Sequence, residues 1–78
     1  MLKTISMDMR GLREKAGISP EEAAFKLRVA VSTIRNWESG KTEPSLGVSR
    51  ISELLSLYKC SFEELEEGVK NSKLKSNS

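Results

Sequence analysis

The sequence predicts an all-α fold, a compact bundle of five short helices in one domain. Apolar residues recur three or four positions apart, as in the row formed by Ile51, Leu54, Leu55 and Tyr58. Helix start and stop signals divide the chain into short segments, and no stretch shows the alternation of apolar and polar residues that marks a half-buried strand. The 78 residues leave room for a single small core.

The first helix is predicted at residues 8 to 16, after a loosely ordered lead over residues 1 to 7. Gly17 ends it, because glycine readily adopts the left-handed backbone conformation that closes a helix. No apolar run approaches the roughly 20 residues that cross a bilayer, and no apolar leader follows Met1. We therefore expect no membrane contact and a cytoplasmic location.

The second helix begins at a capping box with proline at the first helical position, Ser19-Pro20-Glu21-Glu22. The serine side chain accepts a hydrogen bond from a free backbone N–H, the second glutamate reaches back, and proline has no N–H to leave unpaired. The helix runs to about Leu27 with Ala23 and Ala24 inward. Alanine at both positions predicts a close crossing with another helix.

The third helix is predicted over residues 31 to 39, and a tight turn joins it to the second. Ile34 and Trp37 fall on one side of a helical wheel, which we interpret as the core side. Gly40 ends the helix, and Pro44 prevents its resumption. The opposite side is polar, small and basic, and it carries Ser32, Arg35, Asn36 and Ser39.

The fourth helix is predicted at residues 48 to 58, from the apolar row that also defines the fold class. A second capping box, Ser61-Phe62-Glu63-Glu64, begins the fifth helix, and Gly68 is expected to end it. Residues 70 to 78 contain few apolar side chains and are predicted to form a basic, disordered tail. The expected globular domain therefore spans residues 8 to 69.

Composition excludes several kinds of chemistry. The chain has one cysteine and no histidine. Cys60 has no partner for an internal disulfide, and the usual zinc site needs more ligands of these types. Nucleophilic catalysis would lack its base, and no glycine-rich phosphate loop is present. We expect no catalytic residue, no metal site and no cofactor, and we interpret Cys60 as a small buried apolar residue.

Charge is divided unevenly along the chain. Residues 1–50 carry nine basic and six acidic side chains, whereas residues 51–69 carry one basic and five acidic side chains. Such a division suits a protein that presents one face to a polyanion such as nucleic acid. Charge runs on small domains are also commonly solvated faces, so the pattern alone does not decide between the two interpretations.

The order and spacing of these features resemble the phage-repressor-like family of helix-turn-helix domains (the Cro/C1, xenobiotic-response-element type) over roughly residues 8 to 68. The resemblance implies a lambda-repressor-like five-helix bundle in which helices two and three form the motif and helix three enters the DNA major groove. The residues that carry it are Leu12-Arg13, Gly17-Ile18-Ser19, Ala24, Leu27, Val29, Ile34, Trp37-Glu38-Ser39-Gly40-Lys41-Thr42-Glu43-Pro44-Ser45 and Ser61-Phe62-Glu63-Glu64-Leu65.

Three positions depart from the family's pattern. Arg28 stands where the family usually has glycine at the turn, which costs about 1 kcal/mol if the residue is left-handed. Pro20 replaces a glutamine that in many members contacts phosphate. Ala30 replaces the usual serine or threonine cap of helix three, which weakens its start by about 1 kcal/mol.

The function expected from these residues and the resemblance is sequence-specific binding of double-stranded DNA by a transcriptional regulator, without catalysis. Arginine pairs well with guanine, asparagine with adenine, and valine methyls with a thymine methyl. The expected base contacts are Val31, Ser32, Arg35 and Asn36, although Ser32 and Asn36 also fit a solvated helix face. The expected phosphate contacts are Arg10, Ser19, Lys41 and Thr42.

Two expectations concern packing and partners. In the family, the positions of Arg13 and Glu38 form a partly buried ion pair that ties helix one to the recognition helix, so the resemblance implies that pair here. The family commonly binds DNA as a homodimer, although a monomer is also compatible with the sequence.

An alternative function is a protein-interaction module of the antitoxin or adaptor type, because the same fold serves different functions.

Overall fold

A computed structural model describes residues 7–76, which form five α-helices and no strands. The predicted all-α fold is confirmed. Of the lead predicted over residues 1–7, only Met7 lies within the described residues. No helix in the described range is long and apolar enough to cross a membrane. The helices are α1 (Met9–Lys15), α2 (Pro20–Leu27), α3 (Val31–Ser39), α4 (Val48–Tyr58) and α5 (Phe62–Ser76).

Local hydrogen bonds explain where the helices begin. The Ser19 hydroxyl accepts from the backbone N–H of Glu22 at 3.0 Å. At α5 both halves of the capping box are present, because Ser61 Oγ accepts from Glu64 N at 3.1 Å and Glu64 Oε1 accepts from Ser61 N at 2.8 Å. The N-cap residue of α3, Ala30, makes no side-chain cap bond, as its methyl group requires.

The first four helices end in the same way. Each is followed by a residue with left-handed backbone conformation. The N–H of that residue and the N–H of the next one both donate to carbonyls in the last turn of the helix, which is a Schellman motif. Gly17 and Gly40 do this as predicted, with φ of 78° and 81°. Arg28 is left-handed too, with φ of 58°, and so is Lys59, with φ of 54°, for which the sequence carries no signal.

The core lies where the inward faces of the five helices meet. Ala23 and Ile34 are fully buried, and Trp37 is 3% exposed, so the inner face of α3 packs as predicted. Cys60 is only half-buried, and burial raises the pKa of its thiol, which disfavours the reactive thiolate. The buried apolar residues are Met9, Leu12, Ala23, Ala24, Leu27, Ile34, Trp37, Leu54, Tyr58 and Leu65.

The predicted end of the fifth helix was wrong. Gly68 lies inside α5 and is buried, and a Cβ built on it would lie 2.7 Å from Leu12 Cδ1. This glycine therefore permits a close approach between α5 and α1 and does not terminate the helix. The disordered tail was predicted over residues 70–78. Residues 70–76 instead form the last two turns of α5, and residues 77–78 lie outside the described residues.

The extension of α5 is fixed to the start of α1. The buried Ser72 hydroxyl accepts from Met9 N at 3.0 Å, and Asn71 Nδ2 donates to the carbonyl of Met7 at 2.9 Å. Lys75 Nζ lies 2.5 Å from Asp8 Oδ2. Burial raises the pKa of Asp8, but hydrogen bonds from Lys75 and from the Gly11 N–H lower it more, so the net pKa lies below its usual value.

Candidate nucleic-acid interface

The outward side of α3 carries the residues expected to contact bases. Ser32 and Arg35 are exposed, whereas Val31 and Asn36 are half-buried. All four lie within the first two turns of the helix, and the buried pair Ile34 and Trp37 occupies the opposite side. The structure therefore brings the predicted base-reading residues onto one side of α3, away from its buried side.

The C-terminal end of α3 leads directly into two expected phosphate contacts. The backbone N–H groups of Lys41 and Thr42 both donate to the carbonyl of Asn36, at 3.0 and 3.3 Å. Because those N–H groups are already used, any phosphate contact from these residues must come from the side chains. Both residues are exposed.

The other two expected phosphate contacts already have intramolecular partners. The Ser19 hydroxyl caps α2, although the residue is exposed. Arg10 Nε lies 2.9 Å from Glu14 Oε2 on the outer face of α1, with both side chains more than half exposed. An exposed pair of this kind is worth little, so it does not prevent Arg10 from contacting a phosphate.

The ion pair implied between Arg13 and Glu38 is present, and it fixes the inner side of α3. Arg13 Nε and Nη2 donate to the two carboxylate oxygens of Glu38 at 2.6 and 3.2 Å, and Nη1 donates to the carbonyl of Ile18 at 2.9 Å. The side chains are only 8% and 12% exposed. The hydrogen bond to Glu38 raises the pKa of Arg13.

Tyr58 adds a polar group near this buried pair. Its hydroxyl is inaccessible to solvent and has no hydrogen-bond partner among residues 7–76. Burial raises the pKa of Tyr58 well above its usual value, and the negative charge of Glu38 raises it further. Tyr58 therefore stays protonated and adds no charge beside the Arg13–Glu38 pair.

A second arginine–glutamate pair lies on the outer side of α3. Arg35 Nη2 is 3.6 Å from Glu21 Oε2, and the side chains are 63% and 66% exposed. In the sequence, Glu21 stands out only as part of a helix start. No local pattern relates the first turn of α2 to the second turn of α3, so this neighbour was missed.

The turn between α2 and α3 is tied to α4 by a contact that was also missed. Arg50 Nη2 donates to the carbonyl of Leu27, the last residue of α2. Glu53 Oε1 lies 3.8 Å from Arg28 Nη2 and 3.8 Å from Arg50 Nε. These contacts attach the left-handed Arg28 and the end of α2 to α4.

A groove of about 410 Å³ opens between α4, α5 and the loop that follows α3. Ile51, Leu65 and Val69 line it, and Phe62 at its edge is 53% exposed. Charged residues of both signs also line the groove, namely Glu43, Glu66, Lys70 and Lys73. Within the described residues, no group of three or more potential metal ligands comes together.

One of three comparisons with known proteins found a match. A helix-turn-helix family model matches residues 9–65, which include α1 to α4 and the start of α5. No match was found among curated proteins or among solved structures. The matched range contains both faces of α3 and the loop that carries Lys41 and Thr42.

Proposed function

The chain belongs to the phage-repressor-like family of DNA-binding helix-turn-helix domains, and from that premise we propose that it binds a specific double-stranded DNA sequence as a transcriptional regulator, without catalysis. The observation that carries the proposal is the contrast between the two sides of α3. Ile34, Trp37 and the bonded Glu38 hold one side, while a polar and basic surface on the other is exposed. A helix held in this way suits insertion into the major groove.

The roles of the outer residues follow from their chemistry. Arg35 donates to the two acceptors of guanine and Asn36 pairs with adenine, while Val31 meets a thymine methyl and Ser32 bonds to either kind of base. Lys41, Thr42, Arg10 and Ser19 contact phosphates and set the register of the protein on the duplex. The first set determines which sequence is bound, and the second set supplies affinity for any sequence.

The test is selection of bound duplexes from a random pool, followed by affinity measurements on the selected duplex over a range of salt concentrations. We expect one preferred sequence, and a steep fall of log affinity with log salt, because each neutralised phosphate contributes a slope of about 0.9. Lys41→Ala should reduce the slope by about that amount and leave the preferred sequence unchanged.

Lys15→Ala is the matched control for Lys41→Ala. Lys15 is also exposed, but it lies near Cys60 at the junction of α4 and α5, since its charge influences the pKa of that thiol. Its removal should leave the salt slope unchanged. A flat salt response of the wild-type protein, or recovery of no preferred sequence, would contradict the proposal.

We further infer that the apolar groove binds a second copy of the chain, so that the protein is a homodimer. Phe62 and the lining residues form an apolar surface of the kind that marks a protein interface. A two-fold contact places each patch against itself, so a patch must complement its own charges. Glutamates and lysines around the same groove meet that requirement, because Glu66 of one copy can face Lys70 of the other.

Sedimentation at increasing protein concentration tests the dimer. Phe62→Ser should raise the dimer dissociation constant at least about tenfold, because apolar anchors dominate such interfaces. Phe25→Ser is the control, since Phe25 is 82% exposed on α2, away from the groove. A wild-type monomer at all concentrations would contradict the dimer. The alternative, a protein-interaction module of the antitoxin or adaptor type, would be favoured if the duplex selection recovered no preferred sequence.

A further inference from the structure

The pair between Glu21 and Arg35 joins the first turn of α2 to the surface of α3 proposed to read bases. Their closest atoms are 3.6 Å apart, and both side chains are largely exposed. We propose that Glu21 is a specificity-determining residue, which favours DNA that offers Arg35 a guanine and disfavours other DNA. This inference rests on the proposed function, because it concerns how the DNA-reading surface discriminates between sequences.

In the free protein this pair contributes little to folding. Two exposed charges in water interact weakly, and holding two long side chains together costs rotamer entropy. DNA excludes water from the surface of α3, and the same interaction strengthens as the local dielectric constant falls. The effect of Glu21 is therefore expected in the complex and is small in the free protein.

A carboxylate close to DNA also has a cost. The phosphates repel Glu21 in every complex, and this repulsion is offset as long as the Arg35 guanidinium stays beside it. A guanidinium has five donors in a rigid fork, so Arg35 can donate to a guanine and still have an N–H directed at Glu21. On a guanine at the right position, both charges therefore keep a partner.

On other sequences this arrangement is lost. Where no guanine is available, adenine and thymine each offer Arg35 a single acceptor in the major groove, so the two-bond contact is lost and phosphate oxygens compete for the guanidinium. A move toward a phosphate would separate it from Glu21. The carboxylate then remains near the phosphates without its cation. Specificity that depends on a penalty against the wrong partner is a general device of recognition. Glu21 would supply that penalty here, and it would act most strongly on non-specific DNA.

The chain provides a matched control next to Glu21. Glu22 is also exposed, lies in the same first turn of α2, and forms no ion pair among the described residues. Replacing either glutamate by glutamine removes one negative charge from the same helix end. A general reduction of phosphate repulsion is common to both variants, so a difference between them reports the contact with Arg35.

The experiment compares wild type, Glu21→Gln and Glu22→Gln on three duplexes. These are the selected sequence, a variant of it in which the base pair contacted by Arg35 is changed, and a random duplex. The base pair contacted by Arg35 is identified by repeating the selection with Arg35→Ala. Glu22→Gln should raise all three affinities by a similar factor. Glu21→Gln should raise the affinity for the last two duplexes more than the affinity for the selected sequence. The specificity ratio, which is the affinity for the selected sequence divided by that for either other duplex, should therefore fall about fivefold or more.

The outcomes separate the two proposals. If the wild type has no preferred sequence, both the proposed function and the role of Glu21 are wrong. If the wild type has one and Glu21→Gln keeps the specificity ratio, or Glu22→Gln lowers it equally, only the role of Glu21 is overturned. Unfolding curves of both variants establish that they are folded at the assay temperature, and a purely structural role for Glu21 would lower stability without changing the ratio.

Discussion

The two sides of α3 carry arginine–glutamate pairs of the same chemistry in opposite surroundings. On the inner side, Arg13 and Glu38 form two hydrogen bonds and are 8% and 12% exposed. On the outer side, Arg35 and Glu21 approach to 3.6 Å and are 63% and 66% exposed. The comparison shows that burial, more than charge, determines whether such a pair holds the fold or remains available to a ligand.

The physical reason is the cost of removing a charge from water. Once Arg13 and Glu38 are buried, each needs the other, because a lone buried charge is strongly destabilising. The outer pair has water as an alternative partner, so Arg35 and Glu21 can separate at little cost in the free protein. Substitutions on the two sides of α3 should therefore differ widely in how much they change the stability of the fold.

The inner pair should give the largest effect. Arg13→Ala and Glu38→Ala should each lower the free energy of unfolding by about 3 kcal/mol or more, because the remaining partner stays buried and uncompensated. The double variant should lose less than the sum. Urea denaturation of the four proteins measures the coupling energy.

The outer pair is the control for this cycle. Arg35→Ala, Glu21→Ala and their double variant should show a coupling energy below about 0.5 kcal/mol. Small, strictly additive losses at Arg13 and Glu38, or equal coupling energies in the two cycles, would contradict the comparison.

The end of α3 gives the next largest effect. Gly40 is left-handed, and a Cβ there would overlap the backbone carbonyl of Ser72 in α5. Gly40→Ala should therefore lower the free energy of unfolding by about 2 kcal/mol or more, combining left-handed strain with steric overlap. Gly17 is left-handed too, but a Cβ at that position would meet no atom of the described residues within 4 Å. Gly17→Ala should therefore lower the free energy of unfolding by only about 1 kcal/mol. Thermal unfolding of both variants measures the difference, and equal losses would mean that α5 does not support the inner side of α3.

The turn before α3 should give a smaller change of opposite sign. Arg28→Gly should raise the free energy of unfolding by up to about 1 kcal/mol, because it removes the left-handed strain of a residue whose pair with Glu53 is exposed. Added freedom of the unfolded chain reduces the gain. Lys59→Gly is the control at an equivalent left-handed position at the end of α4. If Lys59→Gly raised the free energy of unfolding and Arg28→Gly clearly lowered it, the Arg28 side chain would be shown to stabilise the turn.

The outer face should have the smallest effect on stability. Arg35→Ala should change the free energy of unfolding by less than about 0.5 kcal/mol, since it removes an exposed side chain with one weak pair. The same variant should lose the sequence preference at one base pair. Chemical denaturation and the duplex selection measure the two quantities on one protein preparation, and a large loss of stability would mean that Arg35 belongs to the structural side of the helix.

The helix starts and the ends at Gly17 and Gly40 could be predicted from sequence because their causes are local. Ser19 accepts from the backbone N–H three residues later, and Gly40 closes α3 through N–H groups that bond within the same turn. All the atoms involved lie within a few residues of each other. The left-handed Lys59 was missed because lysine carries no such signal, although its backbone follows the same motif.

The end of α5 could not be predicted because one residue type has two structural uses. Glycine near the end of a helical pattern usually terminates it. Gly68 instead provides space for Leu12, a residue 56 positions earlier in the chain. The buried bond of Ser72 to Met9 also depends on how α5 crosses α1. Such packing is visible only in three dimensions.

Only part of the candidate site could be predicted from the sequence, because some of its contacts join residues that are far apart in the chain. The wheel of α3 separates Trp37 from Arg35 using positions in one helix, and the structure keeps that separation. The position of Glu38 in the last turn of α3 indicated that it needs a cation, and family resemblance identified Arg13 as that cation. Glu21 and Arg50 act across helices that no local pattern relates, so their contacts required the structure.

The inner side of α3 holds the helix in the bundle, and its outer side is proposed to read DNA. Titration of isotope-labelled protein with the selected duplex, with amide chemical shifts followed by NMR, distinguishes the two sides in one experiment. We predict the largest shifts at Ser32, Arg35 and Asn36, a second set at Lys41 and Thr42, and little change along residues 62–70 at a protein concentration where the oligomeric state is constant. Shifts centred on residues 62–70, with α3 unaffected, would show instead that the duplex does not bind to α3.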